Sequence, residues 1–226
     1  MSKAVQEMFR RICSRYDLAN DILSLGIHRR WRKLLGNQAE LKDNQLALDI
    51  CTGTGEVALE LNRKFPKRIY AMDFVTEMVQ SAVKKNEEIH YFVGDALKLP
   101  FKSNSFGLVT ISFGIRNLDS PIEGLKEIYR ILTPDSKVLI LEFGQNNSSL
   151  FGKLYNPYAR HIIPFLGGLI TGDRAAYEYL PETSARFPAR EDFIMLMEQT
   201  GFKQCSCLSL FFGIAYLYTG RCSKEL

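Results

Sequence analysis

Three histidines, one tryptophan and five cysteines among 226 residues leave little material for several kinds of chemistry. The histidines, His28, His90 and His161, lie far apart, so no metal-ligand spacing forms and no metal site is expected. The cysteines are odd in number and show no paired spacing. With no secretory leader in view, they point to a reducing, cytoplasmic setting and away from a disulfide scaffold. Cys205 and Cys207, two apart, belong on one face of a strand. No internal repeat or low-complexity linker occurs, so a repeat array is not indicated. A strong charge excess is lacking too: a net +4 is too mild to argue for nucleic acid. The longest uncharged stretch, Gln204 to Gly220, is at the lower edge of a membrane span. Ser206, Ser209 and Gly213 interrupt it, and its Tyr, Phe and Ile content suits two strands joined near Phe212 and Gly213.

What is present is an average globular composition, 46% hydrophobic and 24% charged, long enough for one sizeable α/β core spanning residues 1–226. The chain is organised around Leu46 to Glu56, LALDICTGTGE. An apolar run ending in Asp49 and followed by a glycine-bracketed turn reads as a buried parallel strand, its loop and the start of a helix. Gly53 and Gly55 permit a tight turn and close approach of a ligand, and the free N–H groups of the following helix suit an anionic group.

Upstream, Val5, Met8, Phe9 and Ile12 describe an amphipathic helix, followed by YDLANDILSLGIHRRW from Tyr16 to Trp31 and a basic helix to about Leu41. Residues 1–41 thus read as a helical cover, with Tyr16 and Trp31 either facing a ligand or serving as packing aromatics. The basic cluster Arg10, Arg11, Arg15, Arg29, Arg30, Arg32 and Lys33 fits contact with anionic lipid or a solvated helix face.

Downstream, RIYAMDF forms a second strand closed by Asp73, 20 residues after Gly53, the spacing at which an acid reaches ribose hydroxyls. Such charge-assisted bonds are worth about 1.5–3 kcal/mol each. The alternative for Asp73 is an exposed cap on the helix Thr76 to Asn86. IHYFVGDA is a third strand with Asp95 and Ala96 at its end, and SFGLVTISFGIRNL a fourth running into a turn at Arg116 and Asn117. Asp119, Ser120 and Pro121 start a helix whose stripe of Ile122, Leu125, Ile128 and Leu132 is core. Lys137 to Phe143 is the fifth strand. Residues 146–189, interrupted by Pro157, Pro164 and Gly167-Gly168, read as a helical insertion that either walls an apolar pocket or extends the core. A last helix, Arg190 to Thr200, is capped by Gly201.

The glycine turn is ambiguous, because Gly53, Gly55 and Ala58 also satisfy the dinucleotide pattern, so a dehydrogenase is the first rival. Asp95-Ala96, an acceptor and an N–H suited to an adenine edge, and the antiparallel ending argue against it. A catalytically silent nucleoside-binding protein is the second rival.

LDICTGTG, Asp73, GDALKLPF and Gly201-Phe202 resemble class I S-adenosylmethionine-dependent methyltransferases. More closely, YDLANDILSLGIHRRW, ISFGIRNL and YRILTPDSKVLILEF resemble the ubiquinone/menaquinone biosynthesis C-methyltransferase family, from about Tyr16 onward. Ala19 stands where that family has methionine, Glu56 where it has aspartate, Asp135-Ser136 where it has a glycine pair, and Gly144 where it has serine. The resemblance implies a seven-stranded, mostly parallel Rossmann-like α/β sheet with one antiparallel C-terminal strand and helices on both faces. It implies S-adenosylmethionine as cofactor, contacted by Thr54, Asp73, Asp95, Ala96 and Ser112, with Asp49, Gly53 and Gly55 shaping the methionine end. For Ser112 the alternative is a buried serine bonded to its own backbone. The implied reaction is C-methylation of a polyprenylated quinol, with the protein in the cytoplasm at the inner face of the membrane as a peripheral partner, and with homodimerisation among its expectations. Carbon is a weak nucleophile until a neighbouring phenol loses its proton, so Arg116 is assigned electrostatic stabilisation and Asn117 positioning. The alternative for Arg116 is a salt bridge that organises its loop.

Overall fold

The computed structural model describes residues 2–144 and 155–224; the first part of the insertion expected at 146–189 lies outside the described residues. Helix α1, Lys3–Ile12, begins where the Ser2 hydroxyl accepts from the Val5 N–H, and it buries Met8 and Ile12 one turn apart. Helix α2, Tyr16–Ser24, stops at Leu25 and Gly26, both in the left-handed region. Helix α3, Ile27–Gln38, follows and turns Trp31 and Leu35 inward.

Strands then alternate with helices: β1 Ala47–Ile50, α4 Glu56–Lys64, β2 Ile69–Asp73, α5 Thr76–Val83, β3 His90–Val93, β4 Phe106–Ser112, α6 Pro121–Ile131 and β5 Leu132–Phe143. The Ser120 hydroxyl accepts from the Glu123 N–H and Pro121 opens α6, as the start signal predicts. A π-helical turn at Tyr158–Ile162 leads into α7 Ile163–Thr171 and α8 Arg174–Arg186, then α9 Glu191–Gln199 and the hairpin β6 Phe202–Leu210 and β7 Ala215–Cys222. One seven-stranded sheet results, in the order β3-β2-β1-β4-β5-β7-β6. Only β7 is antiparallel to its neighbours, as expected, and no described helix is long and apolar enough to cross a membrane.

The central parallel strands β1 and β4 are buried on both faces, so their alternation sorts side chains into two cores instead of into core and solvent, while the edge strand β3 is partly exposed. Leu48 and Ile50 join Val109, Ile111, Ile128 and Phe193 on one face. Ala47 joins Trp31, Leu35, Val57 and Leu139 on the other. A third cluster locks the N-terminal cover to the insertion, with Met8, Ile12, Ala19 and Leu23 against Ala159, Ile163, Ala176 and Tyr177. Strand order reverses between β1 and β4, and the crevice that this opens lies at the carboxyl ends, where the glycine turn sits.

Two local readings change. Strand β5 begins at Leu132, five residues before Lys137, because Leu132 already pairs with Phe106 across a register shift. Asp135 takes φ 60 there, the left-handed conformation that a glycine adopts freely. Gly167 and Gly168 do not interrupt a helix but lie inside α7. Tyr177 of α8 packs onto that spot so closely that a Cβ at Gly167 would stand 2.3 Å from the ring Cγ. Gly167→Val is therefore expected to cost about 1–3 kcal/mol through overpacking, read as a lowered urea midpoint at unchanged slope.

Candidate active site

The glycine turn is held from beneath by two acids. Asp49 is buried, and its two oxygens accept from the Thr52 and Thr110 hydroxyls, each at 2.6 Å. Burial pushes its carboxyl up to about 6 against the pull of those hydroxyls and of Arg32. Asp49 thus shapes the loop from behind. Asp73 is also buried, which excludes the exposed cap; the cap position of α5 is Val75. One Asp73 oxygen accepts from the Gly53 N–H at 2.8 Å and the other from the Val75 N–H at 2.9 Å. A carboxylate offers about four acceptor sites, so these bonds leave acceptor capacity for a ligand.

Gly53 and Gly55 sit at φ 56 and 84, and no atom lies within 4 Å of where a Cβ of Gly53 would point. That open face borders a recess of about 40 Å³ lined by Gly53, Asp73, Ser112 and Asn117, with Phe9 and Tyr16 from the cover. Ser112 Oγ is buried without a hydrogen-bond partner among the described residues, so the backbone-bonded alternative does not hold. An orphaned hydroxyl beside an open glycine turn suits a polar ligand. Asp95 and Ala96 line a second recess of about 10 Å³ with Met72 and Leu118; Cys51 and Asp73 belong to both recesses. Thr54 stands apart from these two. Its hydroxyl donates to Asp17 Oδ1 at 2.6 Å, and Lys85 bonds both Asp17 and Glu56, so this corner ties the cradle to the cover.

Beyond the recess lies a larger, mainly apolar cavity of about 260 Å³, sharing Phe9, Tyr16 and Phe113 with it. Arg116 is on its wall, while the neighbouring Asn117 faces the recess. Arg116 Nη1 donates to Glu142 Oε1 at 2.6 Å and to the Phe113 carbonyl at 2.7 Å, and its guanidinium carbon is 5.3 Å from the Phe143 ring centre. The salt-bridge alternative for Arg116 is therefore real geometry, and it leaves Nε buried without a partner among the described residues. Burial pushes the Glu142 carboxyl up while Arg116 opposes the shift. Asn117 Oδ1 accepts from the Tyr179 hydroxyl at 3.1 Å. Trp31 and Tyr16 combine both sequence readings, since each packs in a core cluster and lines the cavity.

Sequence reasoning missed Glu142, Asp17, Lys85 and His28. Glu142 had a signal, being a lone acid in the otherwise apolar run VLILEF, where a buried charge must be paired. His28 lines the cavity with Nδ1 2.5 Å from Ser24 Oγ and Nε2 3.5 Å from Asp21 Oδ1. Among the described residues no group of His, Cys, Asp and Glu could hold a metal.

An open α/β sheet with an acid-braced glycine turn at its reversal point, abutting an apolar chamber, is the architecture of class I methyltransferases. Solved structures share it: a S-adenosylmethionine-dependent methyltransferase of Thermotoga maritima overlays with a TM-score of 0.66 at 21% identity, covering 97% of this chain and 100% of that one. Another, from Aquifex aeolicus, gives a TM-score of 0.62 at 16% identity, covering 84% and 89%. The model of the ubiE/COQ5 methyltransferase family matches residues 1–222, and the chain belongs to that family. It is 41% identical to the ubiquinone/menaquinone biosynthesis C-methyltransferase UbiE of Bdellovibrio bacteriovorus, over 96% of this chain and 94% of that protein. It is also 41% identical to the demethylmenaquinone methyltransferase of Deinococcus radiodurans, over 96% and 92%.

Burial, aided by Arg32 beside it, holds His28 down to about 4. The folded protein thus refuses a proton that the unfolded chain accepts near 6.5, so this contribution to stability is complete above that pH and is lost as pH falls toward 4. His28→Gln is expected to flatten the fall in chemical stability across that window, read from urea midpoints between pH 7 and pH 4.

Proposed function

We propose that the protein methylates a ring carbon of a polyprenylated quinol, a demethylmenaquinol or the benzoquinol counterpart of the ubiquinone pathway, using S-adenosylmethionine. The observation that carries this reading is the apolar cavity joined to the glycine-turn recess through Phe9, Tyr16 and Phe113, with Arg116 on the cavity wall and the neighbouring Asn117 on the recess. When bound, S-adenosylmethionine supplies a methyl group on a positively charged sulfur. Asp73 would accept from its ribose hydroxyls, Asp95 and Ala96 would meet the adenine edge, and Ser112, Thr54 and the turn at Asp49, Gly53 and Gly55 would meet or shape the methionine end.

The chain's own contribution is orientation and charge. Arg116 cannot give up its proton, so it acts by stabilising the phenolate that feeds electron density into the ring, with its free Nε as a donor. Asn117, steadied by Tyr179, positions the reacting groups. Cover residues Phe9 and Tyr16 wall both chambers and the insertion walls the larger one, which limits the access of water. Arg116→Ala combined with Glu142→Gln, which leaves no acid buried and unpaired, is expected to lower turnover about 10²-fold or more with little change in cofactor affinity. Equal losses in both would assign Arg116 a folding role. Labelled S-adenosylmethionine with short-chain demethylmenaquinol or its benzoquinol counterpart tests the reaction: label in the lipid supports it, and cofactor binding without transfer to either quinol overturns it.

Peripheral contact with the inner face of a membrane belongs to the same reading. Leu25 and Phe211 line the cavity, and Leu25 and the adjoining Phe212 are 84% and 68% exposed, with Arg29 and Arg30 on the helix that follows Leu25. An apolar rim with basic neighbours admits a prenyl chain directly from a bilayer. Phe212→Glu, at an exposed rim position outside the cavity lining, is expected to weaken co-flotation with phosphatidylglycerol vesicles while leaving turnover of tail-less quinols intact. Homodimerisation is carried as an expectation that light scattering decides.

A further inference from the structure

Arg32 is a second arginine on the cavity wall, and it differs from Arg116 in one respect. It is 91% buried by its 9% exposure, yet its guanidinium makes no hydrogen bond or ion pair with any described residue. Its nearest characterised partner is a ring face, Phe113, whose centre lies 6.0 Å from the guanidinium carbon. The surrounding acids are already engaged. Asp49 accepts from two threonines, Glu142 from Arg116, and Asp21 from Arg29 at 2.6 and 2.5 Å. His28, one turn before Arg32, is neutral at physiological pH and bonded to Ser24.

A guanidinium cannot neutralise itself by losing its proton, so Arg32 keeps its charge in the cavity wall. A cation–π contact at 6.0 Å is a weak partner for that charge. The cavity therefore holds one paired cation and one unpaired cation within walls that are otherwise mainly apolar. An anion entering it meets a donor fork on the cavity wall whose bonding sites are not taken by any described residue.

We propose that Arg32 receives an oxyanion of a bound ligand. Two sources carry that chemistry, the phenolate of the quinol and the carboxylate of the cofactor's methionine end. The phenolate is the expected one, because Arg32 lines the apolar cavity and neither of the two smaller recesses. This rests on the quinol reading of the cavity. It adds a second positive group to Arg116, so that the cavity selects the ionised form of its ring.

Trp31, the single tryptophan, lines the same cavity, so quenching of its fluorescence reports occupancy. The probes are 2-hydroxy-1,4-naphthoquinone, an anion at pH 7, and neutral 1,4-naphthoquinone. The intact protein is expected to favour the anion. Arg32→Met is expected to weaken the anion about tenfold, the scale of one charged hydrogen bond, and to leave the neutral quinone unchanged, with Arg32→Lys restoring most of the preference. A second arm compares S-adenosylhomocysteine with 5′-methylthioadenosine, which lacks the carboxylate. A loss confined to the first of these ligands identifies the cofactor as the source of the oxyanion. Unchanged discrimination in both arms overturns the proposal. Methyl transfer by the wild-type protein tests the quinol reading separately: charge preference without transfer leaves Arg32 an oxyanion receptor and removes the quinol.

Discussion

The ion pair between Arg116 and Glu142 is the joint on which both chambers depend. Glu142 is fully buried near the end of β5 and Arg116 stands in the turn after β4, so their 2.6 Å contact clamps two neighbouring strand ends. Breaking such a pair by removing one member costs about 3–5 kcal/mol, because the survivor is left buried and uncompensated. What the clamp fixes is the wall. Phe113 and Phe143 stack at 4.4 Å on the cavity side, and Asn117, one residue beyond Arg116, is carried round to the recess. One turn thereby serves two compartments that must not be separated by more than a ring's thickness for methyl transfer.

The N-terminal cover is attached by a different kind of force. Its ion pairs are at least partly solvated, as with Lys85 to Asp17, and such pairs contribute about 0–1 kcal/mol. The apolar cluster that joins Met8, Ile12, Ala19 and Leu23 to the insertion supplies the greater share. Cover and insertion therefore hold chiefly to one another, while the sheet stands on its own two cores. This division suits the proposed quinol reading, in which the substrate enters a chamber between cover and insertion.

Most of the sheet was legible before any coordinates. Parallel strands buried on both faces read as apolar runs, and acids mark their carboxyl ends, so Asp49, Asp73 and Asp95 are nominated from position, while Arg116 takes its role from the reaction that the family resemblance implies. The Ser120-Pro121 start of α6 and the closing hairpin followed from equally local rules. The insertion was less legible because its glycines mean two opposite things in isolation. Gly167 reads as a breaker, yet its role is to admit Tyr177. The site was legible in its backbone features and not in its partners. Asp73 was marked as a ligand-facing acid, while its bonds to Gly53 and Val75 came only from folding.

What the sequence determined by itself is therefore the periodic and the punctuated: strand runs, the glycine turn, helix starts, the acids at strand ends, and the family pattern that runs through them. These depend on residues near one another in the chain, whose conformational preferences are read locally. Tertiary structure alone decided which charges are paired. Arg116 lies 26 residues from Glu142, and Arg32 lies in the same cavity wall with no acid left to meet it. Pairing is a property of distance and desolvation between remote segments, and no local pattern distinguishes an arginine that braces a loop from one that waits for a ligand.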